Sequence, residues 1–128
     1  MKKVVFVCIE NSCRSQIAEA FARIYGKDKI EPFSAGSKPS GKINPKAIES
    51  MKEINYDLTR HSSKSLAEIP QEQYEYVITM GCGDVCPFVS AKYHEDWEIP
   101  DPKELPMDEF RKIRALIEGK VRELIAKV

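Results

Sequence analysis

The feature that most constrains this chain lies at its start. Val4-Val5-Phe6-Val7 is an unbroken run of β-branched and aromatic residues, which reads as a buried strand. Soon afterwards the apolar period changes. Ile17, Ala18, Phe21, Ala22 and Tyr25 follow helical spacing over Ser15 to Tyr25, and Gly26 suits the end of that helix. The alternation then repeats. Glu31 to Ala35 reads as a second strand closed by Gly36, and Ser37 to Asn44 as a loop broken by Pro39, Gly41 and Asn44. Pro45 stands where a helix favours its first residue, and Ala47, Ile48, Met51 and Ile54 continue as a stripe. Arg60 to Pro70 reads as a turn with a short helix around Leu66. Tyr76 to Met80 reads as a third strand, and a short fourth strand is indicated near Tyr93 to Trp97. From about Asp108, Phe110, Ile113, Leu116, Ile117, Val121, Leu124 and Ile125 mark one long amphipathic helix. Strands alternating with helices, without repeats or linkers, imply one α/β domain with a parallel sheet.

Composition narrows the function classes. The 128 residues suit one core. Lys plus Arg is 20 and Asp plus Glu is 20, so the chain has no general attraction for nucleic acid or an anionic membrane. Any anion binding must be local. No apolar run approaches the roughly 20 residues that span a bilayer. The basic start at Lys2-Lys3 precedes an apolar run too short for a signal peptide, soon broken by Asn11, Arg14 and Glu19. A cytoplasmic location is expected. Thiols there stay reduced, so the four cysteines are not presumed to form structural disulfides.

Chemistry concentrates in Cys8-Ile9-Glu10-Asn11-Ser12-Cys13-Arg14-Ser15, between a predicted strand and a predicted helix. That junction is where open α/β sheets bind ligands, and a helix N-terminus favours an anion. Five residues separate Cys8 from Arg14. A loop of this length can curl around a tetrahedral oxyanion, with the thiol beneath the central atom and the guanidinium clamping two oxygens. The helix end and the arginine both favour the thiolate form of Cys8, the nucleophilic form, and the Ser15 hydroxyl can stabilise it further. Asn11 suits a left-handed backbone position that most residues resist.

These residues resemble the low-molecular-weight protein tyrosine phosphatase fold, and within it the thioredoxin-coupled arsenate reductases. Asn11-Ser12-Cys13-Arg14-Ser15-Gln16 is similar to the reductase version of the loop; the phosphatases usually carry proline where Gln16 stands. Ser34-Ala35-Gly36, Asn44-Pro45-Lys46-Ala47 and Asp101-Pro102 match further landmarks in the same order. The resemblance implies a three-layer α/β/α domain with a four-stranded parallel sheet over residues 1–128. It implies that Glu10, Asn11, Ser12, Cys13, Arg14 and Ser15 hold the oxyanion, arsenate or its mimics phosphate and sulfate. Glu10 departs from the glycine common at its position. A carboxylate facing the anion would repel it, so its side chain is expected to point to solvent.

Gly81-Cys82-Gly83-Asp84-Val85-Cys86-Pro87 adds a second pair of cysteines directly after the third strand, on the sheet edge expected for Cys8. By resemblance, Cys8 attacks arsenate, Cys82 resolves the adduct as a Cys8–Cys82 disulfide, and Cys86 takes the disulfide over. A thioredoxin or similar dithiol protein then reduces it. Asp101, between Pro100 and Pro102, is the general acid that the resemblance implies. Taken alone it reads as a turn aspartate. Cys13 is expected to pack or to present its backbone N–H. The enzyme is expected to be a monomer without cofactor or metal.

Three other readings compete. A four-cysteine zinc site would use Cys8, Cys13, Cys82 and Cys86, but it leaves Arg14 and Ser15 unexplained. A tyrosine phosphatase would use Cys8, Arg14 and Asp101 alone, and a thiol sensor would oxidise reversibly without turnover. His61 and His94 show no ligand spacing, and Tyr74, Tyr76 and Trp97 read as core. Some reductases of the family bind potassium. Asn11, Glu19 and Ser34 match three of the ligand positions, but Lys64 falls at the fourth and would repel a cation, so no specific potassium site is expected.

Overall fold

The structure, a computed structural model, describes residues 1–81 and 89–128, so Cys82 and Cys86 lie outside the described residues. Four strands form one parallel sheet in the order β2-β1-β3-β4: β1 (Lys2–Cys8), β2 (Ile30–Gly36), β3 (Tyr74–Thr79) and β4 (Ala91–Asp96). The helices are α1 (Arg14–Tyr25), α2 (Pro45–Lys52) and α3 (Met107–Lys127). This is the parallel α/β architecture that the alternating periods predict.

The initial apolar run becomes β1, flanked by a strand on each side, and Val4 to Cys8 are all buried. Val4, Phe6 and Cys8 face a core shared with Ile17 and Phe21 of α1, Met51 of α2, and Phe110, Ile117 and Val121 of α3. Val5 and Val7 face the opposite way, into a smaller cluster with Ala35, Ile69, Tyr74 and Val77. Among the described residues, a single 3₁₀ turn, Leu66–Glu68, lies against that second face. Truncating a completely buried side chain such as Phe110 to alanine would cost about 3–5 kcal/mol, so this packing dominates the fold. Trp97, Tyr74 and Tyr76 are core residues, as their sequence context indicates. β2 carries Pro32, and its place at the sheet edge is where a strand accepts a residue without an N–H.

The strand order places the reactive loop. From β1 the chain moves outward to β2, then returns across β1 to β3. The connections therefore diverge between β1 and β3, opening a crevice at the carboxyl ends of the strands. The segments following β1, β3 and β4 all begin at that edge.

Two helical stripes overshoot. Ile54, expected on the buried face of α2, lies beyond its end and is 38% exposed; Asn55 turns left-handed at φ 65°. Leu116 faces outward from α3, because it lies about 100° around the helix from buried Ile117. At the terminus of α2, Glu53 accepts hydrogen bonds from Arg111 Nε and Nη2 at 3.0 and 2.7 Å and from Arg114 Nη1 at 2.8 Å, joining α2 to α3. Arg111, then Arg114, hold the Glu53 carboxyl down to about 2. A depressed folded pKa stabilises the fold above the unfolded carboxylate value, and that stability is lost as pH falls toward 2. Glu53→Gln should therefore melt below wild type at pH 6, with the gap closing as pH falls from about 4.5 toward 2. A gap independent of pH in thermal melts would show that the ionised carboxylate does not carry the link.

Candidate active site

The loop from Cys8 to Ser15 is held open from outside. Ile9 O accepts from Lys38 N at 2.8 Å, Glu10 O from Ser40 N at 3.0 Å, and Ser12 O from Asn44 N at 2.8 Å. Asn11 O accepts from Gln16 Nε2 at 3.0 Å. A trans peptide places N–H opposite C=O, so carbonyls drawn outward leave the N–H groups to face inward. Cys13 precedes the first turn of α1 with no side-chain cap, so that turn's donors are left for an anion. The segment 37–44, which reads in sequence only as a loop, is thus the scaffold of the site.

Cys8 ends β1 with its sulfur 2.8 Å from Ser15 Oγ. The direction of that bond follows from its neighbours. Asn11 Nδ2 donates to Ser15 Oγ at 2.8 Å, so the Ser15 hydrogen is free to point at sulfur. Gln16 Nε2 donates to Asn11 Oδ1 at 2.9 Å, and Gln16 Oε1 lies 3.0 Å from His61 Nδ1. An amide oxygen only accepts, so Nδ1 carries the hydrogen and Nε2 accepts from Tyr56 OH at 2.7 Å. One aligned chain of donors, Tyr56 to His61 to Gln16 to Asn11 to Ser15, ends on the Cys8 sulfur. Burial pushes the His61 pKa down against the pull of Glu19, which keeps the ring in the neutral form this chain requires. Asn11 is fully buried at φ 50°, the left-handed position its residue type indicates.

Arg14 opens α1 and is itself buried. Its Nη1 donates to Ile99 O at 2.9 Å, and Nη2 lies 3.8 Å from Asp101 Oδ2. Asp101 also accepts from Lys103 N at 3.0 Å, so it caps its own turn as well as facing Arg14. Gly81 lies against the guanidinium: a Cβ there would stand 2.8 Å from Arg14 Nη1, on a backbone with φ +82°. Cys8, Ile9, Glu10, Ser12, Cys13, Arg14, Asp101 and Lys103 enclose a cavity of about 90 Å³. A cavity of that size suits a small oxyanion.

The whole chain matches this arrangement in known proteins. Residues 3–128 match the family model described as low molecular weight phosphotyrosine protein phosphatase. The chain belongs to that family. Its similarity lies with the family's arsenate reductases. A protein of Synechocystis named glutaredoxin arsenate reductase is 39% identical, covering 100% of this chain and 99% of that protein. A solved structure described as an arsenate reductase in the phosphate binding state is 38% identical with a TM-score of 0.89, covering 100% of this chain and 99% of that one. A thioredoxin-dependent arsenate reductase of Corynebacterium glutamicum is 36% identical with a TM-score of 0.79, covering 99% of this chain and 61% of that one.

Against the family pattern, the structure brings together Cys8, Glu10, Ser12, Cys13, Arg14 and Asp101 around one cavity. Asn11 and Ser15 stand behind it as supports of the sulfur. The Cys13 thiol is pushed strongly upward, by burial first and then by Asp101 and Cys8, which holds it in the thiol form. The Glu10 side chain is 43% exposed, as repulsion from an anion demands, but its carboxylate stays at the cavity rim, bonded to Lys103. Glu19 is buried, accepting from Ser34 Oγ at 2.5 Å, with Lys64 Nζ at 4.0 Å and His61 Nδ1 at 3.8 Å. Among the described residues, no three His, Cys, Asp or Glu side chains form a metal-binding group.

Three contributors carry no local signal of their role. His61 has no ligand spacing, and Gln16 stands where the phosphatases carry proline. Gly36 closes a strand within a family landmark, yet a Cβ there would meet Ile9 O at 2.5 Å and Asn11 N and Cys8 O at 2.9 Å. All three obstacles are backbone, so Gly36→Ala must displace the loop. About a hundredfold weaker phosphate binding is expected, measured by calorimetry, with an unchanged circular dichroism spectrum. Ser15→Ala removes the donor to sulfur and should slow iodoacetamide alkylation of Cys8 about tenfold near pH 7.

Proposed function

We propose that this chain is a cytoplasmic, single-domain, monomeric arsenate reductase that needs no cofactor or metal ion. The observation that carries this reading is the Cys8 sulfur, supplied with a donor by Ser15 and set in a loop with outward-tied carbonyls, with Arg14 and Asp101 at the same cavity. Such a loop stabilises a tetrahedral dianion, and its thiolate attacks the central atom.

The Cys8 thiolate attacks arsenate and forms a sulfur–arsenic bond. Asp101 protonates the departing oxygen, which leaves as water. The Cys82 thiolate then attacks the Cys8 sulfur. A Cys8–Cys82 disulfide forms, the sulfur–arsenic bond breaks, and its electron pair stays on arsenic, which departs as arsenite. Cys86 attacks Cys82 and frees the Cys8 thiolate. The resulting Cys82–Cys86 disulfide accepts two electrons from an external dithiol. Arg14 holds the oxyanion through both arsenic-bearing steps.

Thioredoxin is the reductant favoured here, in line with the Corynebacterium relative's description; the Synechocystis relative is named for glutaredoxin instead. A second reading, a phosphatase using Cys8, Arg14 and Asp101, rests on the same cavity and on the family description. Single-turnover incubation of reduced protein with arsenate separates the two. Wild type should release one arsenite per chain and end with Cys82 linked to Cys86, whereas Cys86→Ser should stop at a Cys8–Cys82 disulfide. Fast Cys8-dependent hydrolysis of an aryl phosphate without arsenite would establish the phosphatase. Multiple turnovers with thioredoxin, compared with glutaredoxin plus glutathione, identify the reductant.

A further inference from the structure

Two side chains of the anion loop bond to the segment between β4 and α3. Arg14 reaches Ile99 O and stands 3.8 Å from Asp101, a separation too long for a hydrogen bond. Glu10 reaches Lys103, whose Nζ lies 3.2 Å from Oε2 and 3.4 Å from Oε1. Lys103 also donates its backbone N–H to Asp101 Oδ1 at 3.0 Å. One residue therefore fixes the Asp101 carboxyl with its main chain and returns to the anion loop with its side chain. Glu10 holds the Lys103 ammonium above the ordinary lysine value.

An arriving oxyanion competes for the Arg14 guanidinium, weakening its hold on Asp101. The Glu10–Lys103 pair does not involve Arg14, so that competition does not touch it. Their position also bears on substrate size. Attack by Cys8 places the leaving oxygen opposite sulfur, directed toward the cavity mouth where Asp101 stands. Glu10 and Lys103 come from two different segments, line the same cavity and are bonded to each other. A small free oxyanion can be held without parting that link, whereas the organic group of an ester at the mouth has to part it. The pair also balances charge, since a lone Glu10 carboxylate at the rim would repel any anion.

We propose that Glu10 and Lys103 form a strap across the mouth of the site, holding the Asp101 segment closed on a free inorganic oxyanion and disfavouring phosphate esters. Glu10 and Lys103 are positioning and specificity residues here. The proposal deepens the arsenate reductase reading and rests on it.

The test avoids arsenate and the relay. Protection of Cys8 from iodoacetamide is titrated with inorganic phosphate and with phenyl phosphate, and the ratio of the two half-protecting concentrations is taken. Wild type should prefer phosphate. In Glu10→Gln and in Lys103→Gln the ratio should shift toward the ester by about two- to fivefold, the range of an exposed ion pair. The exchange variant Glu10→Lys with Lys103→Glu should return toward the wild-type ratio. In 1 M salt, where screening acts within about 3 Å, wild type should come to resemble the single variants. An unmoved ratio in both single variants, or an exchange variant no closer to wild type than they are, overturns the strap. Absence of arsenite from wild type in the single-turnover experiment would overturn the arsenate reading while leaving the protection ratios interpretable.

Discussion

The site depends on one buried asparagine. Asn11 sits in the left-handed region at φ 50°, completely removed from solvent. Its Nδ2 donates to Ser15, its Oδ1 accepts from Gln16 Nε2 and from Lys64 N, and its carbonyl accepts again from Gln16. A buried amide left without partners would cost several hydrogen bonds' worth of desolvation, so this residue is either fully satisfied or ruinous. Satisfying it fixes the loop curvature, the rotamer of Ser15 and the donor aimed at Cys8 together.

That constraint reaches outward through the groups serving Asn11. Gln16 can hold it only because His61 and Ser62 hold Gln16, and Lys64 N is in place because Lys64 O accepts from Gly36 N at the end of β2. The parallel pairing of Cys8 with Gly36 sets that neighbour, and the missing Cβ of Gly36 lets the loop lie against it. Sheet register and sulfur chemistry are thus connected by a few buried bonds. Glu19 belongs to the same neighbourhood. Bonds and ion pairs from Ser34, Arg23 and Lys64 offset a buried charge that would be untenable alone.

Much of the fold was legible because period is a local property. The first strand needed no context, since Val4 to Val7 have no polar face to expose. Pro45 and Asn44 announced α2, and Asn44 Oδ1 does accept from Lys46 N as a helix cap should. The stripes erred where burial depends on the neighbour. Leu116 continues an apolar pattern but lies around α3 from buried Ile117, and Ile54 lies beyond the end of α2. Cys8, Arg14 and Ser15 were legible by their spacing together with their place between a strand and a helix, and Asp101 by family likeness more than by its own context. His61 was not legible, because its spacing to Gln16 carries no period.

Sequence by itself determined the βα unit at the amino end, the thiol and guanidinium that its loop presents, and the family to which that loop belongs. These rest on residues within a few positions of one another, where chain geometry leaves few alternatives. Tertiary structure decided which residues complete the site. His61 meets Gln16 across 45 positions, Lys64 meets Asn11 across 53, and Lys103 meets Glu10 across 93. Such contacts are fixed by strand order and register, which bring distant segments to one sheet edge, and no local pattern encodes them.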